Sequence, residues 1–174
     1  MRTIETEVYK FAELSEEAKR RVLDKLYDIN LDHEWWDSTI DDADRAGLIL
    51  NEFDLYHGNI DGTFKWSAEE CAGLILADHG EECETYKTAS EYMKERGELV
   101  TKYSDGKDTE RVAEDNEYEF DCDCDELDKD FLRSILEDYR IILDKEQQYL
   151  SSEEVIIETI EANEYEFTID GKMI

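Results

Sequence analysis

Two periods of apolar residues run along this chain and divide it into helical and extended stretches. After Ser15, a residue suited to an N-cap, Ala18, Val22, Leu23 and Leu26 recur at helical spacing, with Glu16 and Glu17 where the helix dipole favours acids. They predict a helix over 15–28. A second helix is expected from Asp32 to Ala46, closed by Gly47 and burying Trp35, Trp36, Ile40 and Ala43. Residues 48–56 and 63–66 read as the strands of a hairpin, with turn chemistry at His57-Gly58-Asn59 and Asp61-Gly62. Ser67 caps a helix over 68–79, and another is expected over 85–103, broken at Gly97. Leu127, Phe131, Ile135, Tyr139, Ile142, Leu143 and Leu150 form the buried stripe of a long helix over 126–150, and one over 153–162 follows. Thr3–Phe11 reads as an opening strand, 104–107 as a turn and 109–113 as a short helix.

Between Asp115 and Asp125 the period changes to two. Asp115, Glu117, Glu119, Asp121, Asp123 and Asp125 alternate with Asn116, Tyr118, Phe120, Cys122 and Cys124. This predicts a strand with one aromatic and thiol face and, opposite it, a row of carboxylates about 6.7 Å apart. Asn116-Glu-Tyr-Glu-Phe120 returns letter for letter as Asn163-Glu-Tyr-Glu-Phe167, where the alternation runs on to Asp170. The expected class is α+β: one domain over residues 1–174, with a twisted, largely antiparallel sheet packed by helices. Its C-terminal third would be a β-α-α-β unit flanked by the two repeats.

Composition sharpens the reading. The 174 residues carry 49 acids against 19 bases, a formal net charge of −30, and 40% are hydrophobic, enough for a packed core despite the charge. Residues 113–174 hold 21 of the acids and only 5 of the bases. Such a balance excludes nucleic-acid binding through a basic patch, disfavours anionic membranes, and favours steering towards basic partners. The first residues lack the apolar core of a signal peptide and no apolar run is long enough to span a bilayer. With four cysteines in no framework spacing, a reducing cytoplasm is the expected compartment. The chain contains no proline, so its turns rest on Gly, Asn and Asp.

Enzymatic motifs are not evident. Asp121-x-Asp123-x-Asp125 starts like a calcium-binding loop, yet Glu126 and Leu132 stand where that loop needs Gly and a bidentate Glu. Cys122 and Cys124, like Cys71 and Cys83, read as free buried thiols rather than zinc ligands. His33, His57 and His79 lie in no nucleophile motif, and there is no Gly-rich phosphate loop. No cofactor is expected.

The stretches Tyr9–Lys19, Glu34-Trp-Trp-Asp37 and Ile157–Phe167 resemble a group of small acidic proteins of phages and bacterial mobile elements. The resemblance implies a context in which acidic proteins inhibit host defence, as anti-restriction and anti-CRISPR proteins do. Thirty charges equal those on about 50 Å of duplex DNA, against a diameter of about 40 Å for a compact chain of this length. The expectation is a non-enzymatic DNA mimic that binds a basic, nucleic-acid-handling protein. Asp115, Glu117, Glu119, Asp121, Asp123 and Asp125 would be the central charges, extended by Glu164, Glu166 and Asp170. Two alternatives stand beside it. One is an acidic antitoxin or phage assembly factor that binds its partner through an apolar patch; the other is a metal-dependent hydrolase using clustered acids.

Overall fold

Ser15, Ser67 and Ser152 each begin a helix by accepting a hydrogen bond from a backbone N–H three residues on: Ala18 at 3.3 Å, Glu70 at 3.1 Å and Val155 at 3.4 Å. The computed structural model describes residues 7–31, 33–104, 112 and 114–174. Among these the α-helices are α1 (Glu16–Lys25), α2 (Asp37–Arg45), α3 (Ala68–Asp78), α4 (Glu84–Lys102), α5 (Glu117–Leu150) and α6 (Glu153–Ala162). Strands β1 (Leu48–Asp54) and β2 (Asn59–Phe64) pair antiparallel as a hairpin, from Leu48 against Phe64 to Asp54 against Asn59. The class is α+β, and among the described residues the sheet is limited to this hairpin.

The chain divides into two compact units: Asp37–Asp144, and Met1–Trp36 together with Lys145–Ile174. The core of the first joins Ala43 and Ala46, Leu48 of β1, Ala68, Cys71, Ala72 and Ile75 of α3, Ala89 and Tyr92 of α4, and Phe131, Ile135 and Tyr139 of α5. Its buried alanines let helices approach closely, while Tyr92 and Phe64 stack on Phe131 with ring centroids 4.4 and 5.7 Å away. Gly62 is required where β2 meets β1, because a Cβ there would sit 2.7 Å from the Ile49 carbonyl oxygen and from Leu136. The second unit packs Phe11, Leu14, Ala18 and Val22 against Ile156, Ile160 and Phe167.

Several expectations need correction. Residues 117–125 form the first turns of α5 rather than a strand, after a 3-10 turn at Glu114–Asn116. As a strand, this stretch would align six like charges on one face, and Glu and Asp are poor strand formers. As a helix, it joins Phe120 and Cys124 to the downstream Leu127 and Phe131 in one apolar stripe and places Glu117 and Glu119 at the favourable end of the helix dipole. Tyr118 is therefore 81% exposed, although alternation put it on the same face as Phe120.

The second repeat is not a full strand either. Phe167 makes isolated bridges to Tyr9 and Met173, so the C-terminal third is helical with a bridged tail. Tyr9 contributes only that bridge and Phe11–Glu13 is a 3-10 turn, which reduces the expected opening strand. Helix α2 starts at Asp37, leaving Trp35 and Trp36 before it in edge-to-face contact at 5.6 Å. Helix α4 runs unbroken through Gly97. Asp32, the start of the opening strand, and most of 104–113 lie outside the described residues.

Candidate protein-binding surface

An α-helix turns about 100° per residue, so the alternating acids of 117–125 do not share a face. Glu117, Asp121 and Asp125, four residues apart, make one exposed row along α5, while Glu119 and Asp123 fall on another side of it. Asp115 is exposed in the preceding 3-10 turn.

Asp123 has a structural task. Its Oδ2 accepts hydrogen bonds from Lys102 Nζ at 2.8 Å and from the Tyr103 hydroxyl at 2.7 Å. Those two donors, the ammonium first, hold its carboxyl below the usual carboxylate range, and the carboxylate in turn keeps Lys102 protonated above the usual lysine range. Asn116 donates to the Tyr103 carbonyl at 3.2 Å, and Tyr103 meets Phe120 edge-to-face, fixing the start of α5 against the end of α4.

Further along, the Tyr92 hydroxyl donates to Asp128 at 2.7 Å and the Thr88 hydroxyl to Asp138 at 2.6 Å. Burial raises both the Tyr92 phenol and the Asp138 carboxyl; the bond to Asp128 adds to the first shift, and the bond from Thr88 opposes the second. Positions fall along α4 as they rise along α5, so the two helices are antiparallel and tied by polar contacts. Between them lies a cavity of about 630 Å³. Leu99 and Leu127 supply its apolar lining, and Glu95, Glu98, Glu126 and Asp130 its charge, with the Lys102–Asp123 pair at one end.

Glu164, Glu166 and Asp170 belong to the other unit. Glu164 follows α6 with a positive φ of 54°, and its carbonyl accepts from Lys10 Nζ at 2.8 Å. Glu166 pairs with the same ammonium at 3.4 Å, and Asp170 is exposed in the turn before Gly171. Of the nine acids expected to form the surface, the structure thus gathers six on or beside the first turns of α5, and two, Asp123 and Glu166, are ion-paired.

His79 takes a structural place. His79 shares a hydrogen bond with the Thr85 hydroxyl at 2.7 Å and approaches Asp42 at 3.5 Å; Asp42 also accepts from Tyr139 at 3.0 Å and from Arg45 at 2.9 Å. Thr85 has the neighbours of a nucleophile, but at 3% exposure it is closed to a substrate, and the network ties α2 and α3 to α4 and α5. His57 pairs with Asp54 on the exposed hairpin loop.

Sequence reasoning missed Lys102, Tyr103 and the groove acids. The signal for the latter was available as Glu91, Glu95, Glu98 and Lys102 at helical spacing. Among the described residues no three His, Cys, Asp or Glu side chains converge as a metal-binding group, and no helix is long and apolar enough to cross a membrane. Comparison with protein-family models, curated proteins and solved structures finds no match to this chain.

Proposed function

We propose that this protein is a non-catalytic inhibitor that binds a basic, nucleic-acid-handling protein and occupies the surface that protein offers to nucleic acid. The observation that carries the reading is the linear charge of α5. Glu117–Asp130 contains eight acids and one base, over a helical rise of about 20 Å. That is roughly one acid per 2.5 Å, against one charge per about 1.7 Å of duplex DNA. Asp123, Asp128 and Asp130 are ion-paired to Lys102, Arg96 and Arg133, and the other five are free of ion pairs among the described residues. A rod of this density, on a chain with a net charge of −30, would steer a basic groove and displace the phosphates that normally fill it. The resemblance to acidic proteins of phages supports a target within bacterial defence, a restriction or CRISPR nuclease or its complex, met in the host cytoplasm.

The test is plating of phage on bacteria that carry restriction and CRISPR systems. Expression of the wild-type chain raises plating efficiency on this account. The variant Glu117→Gln, Glu119→Gln, Asp121→Asn, Asp125→Asn, which spares the structural Asp123, loses that effect while remaining folded. Equal protection by a folded variant would show that these acids only solvate the helix.

A further inference from the structure

The groove between α4 and α5 has a shape and lining that the linear charge of α5 does not explain. Resting on the reading of a basic partner, we infer that this groove is the seat of one basic, amphipathic helix of that partner.

Two of the residues lining the cavity of about 630 Å³ are apolar, Leu99 and Leu127, both half-buried. A second cavity, of about 300 Å³, shares Glu95, Leu127 and Asp130 with it and extends the groove towards Thr88 and Ser134. From Thr88 to Lys102 the groove follows α4 for about 21 Å, the length of a helix of about 14 residues. Both walls are acidic, with Glu95 and Glu98 on α4 and Glu126 and Asp130 on α5. Among the described residues Glu98 and Asp130 are ion-paired only on their own helices, to Lys94 at 3.8 Å and Arg133 at 2.9 Å, all exposed. Among the described residues no ion pair reaches Glu95 or Glu126. The groove's own cation, Lys102, is already held by Asp123.

This lining is complementary to one chemistry. Apolar side chains at helical spacing would cover Leu99 and Leu127, and Lys or Arg on each flank would meet the two acidic walls. An extended segment fits less well. The backbone groups of α4 and α5 are spent within their own helices, so a strand in the groove would find no ladder, whereas a helix satisfies its own N–H and C=O groups. The proposal therefore commits to a helix with an apolar seam between basic flanks.

The experiment uses the whole protein and two synthetic peptides of identical composition, about 14 residues long. One sets Leu at helical spacing with Lys on both sides; the other is scrambled. Binding is read by fluorescence anisotropy and peptide helicity by circular dichroism. The patterned peptide is expected to bind about tenfold or more tightly than the scrambled one and to gain helicity. Glu95→Gln, Glu98→Gln, Glu126→Gln, Asp130→Asn is expected to weaken the patterned peptide by about tenfold or more. Glu117→Gln, Asp121→Asn, Asp125→Asn, on the other row of α5, should weaken both peptides alike and leave their preference intact. Equal binding of both peptides by the wild-type protein would overturn the groove and leave the acidic surface standing. Failure of both peptides to bind would overturn the groove together with the reading on which it rests.

Discussion

Lys102 Nζ donates to Asp123 Oδ2 across 2.8 Å, joining the C-terminal end of α4 to the first turns of α5. The Tyr103 hydroxyl reaches the same oxygen at 2.7 Å. Asp123 thus belongs to the scaffold of the acidic surface as well as to its charge. Its folded carboxyl titrates below its ordinary value, so the stabilisation is present above the unfolded carboxylate pKa of about 3.9 and is lost as pH falls through the lower folded value. Asp123→Asn should melt below wild type at neutral pH, and the gap should close in thermal melts carried to below about pH 4. A gap that persists in acid would assign the loss to another cause.

The four cysteines report the period of the acidic stretch. Cys83 and Cys122 are exposed, Cys71 and Cys124 buried. Burial pushes the Cys71 thiol up to about 12 and raises that of Cys124. In the native protein Cys83 and Cys122 should react quickly with a thiol reagent, and Cys71 and Cys124 only on unfolding. A strand would place Cys122 and Cys124 on one face, so matching rates for those two, read by peptide mapping, would contradict the helix.

Two glycines should respond oppositely to alanine. At Gly171, with φ +81°, a Cβ would stand 2.7 Å from the Ala18 carbonyl oxygen. Gly171→Ala should destabilise by roughly 1–3 kcal/mol through backbone strain and displacement. Gly97 lies inside α4 with nothing within 4 Å of the added carbon. Gly97→Ala should stabilise by about 1 kcal/mol. Denaturant titrations measure both, and a destabilised Gly97→Ala would mean that α4 is broken there.

Tyr139 is fully buried and donates to Asp42 at 3.0 Å. Tyr139→Phe removes a hydrogen bond to a charged acceptor and should lower stability by about 1.5–3 kcal/mol. Burial raises its phenol above the ordinary range, as it does that of Tyr92. A raised folded pKa gives stabilisation that is complete below the unfolded value of about 10 and declines as pH rises above it. Ultraviolet titration should therefore show both tyrosines ionising only with alkaline unfolding. Their titration in the folded protein near pH 10 would contradict this.

Local signals were the legible part of the fold. Ser15, Ser67 and the Leu127–Leu143 stripe act within one or two turns, so the helices they specify could be read directly. The hairpin was also legible, but its second strand spans Asn59–Phe64 rather than 63–66, so Asn59 and Asp61-Gly62, expected as turn, pair with β1. The row of carboxylates from Asp115 to Asp125 does not declare its period, because alternating residues satisfy two periods at once. Phe120 and Cys124 are four apart as well as on alternate positions, and only their union with Leu127 and Phe131 favours the helix. The site shows the same division. The acids of α5 were visible in sequence, but Lys102 and Tyr103 are some 20 residues from Asp123, and the groove needs two helices side by side. A pairing across that distance leaves no mark on local pattern.

If the acidic face of α5 takes the place of nucleic acid on a basic partner, as proposed, duplex DNA should compete with it for that partner. The protein is immobilised and loaded from a lysate of bacteria carrying restriction and CRISPR systems, then washed with duplex DNA at low salt. DNA is expected to release the bound partner, rising salt to release it too, and Glu117→Gln, Asp121→Asn, Asp125→Asn to retain much less of it. A partner that stays bound through both washes, and binds the variant equally well, would contradict the claim.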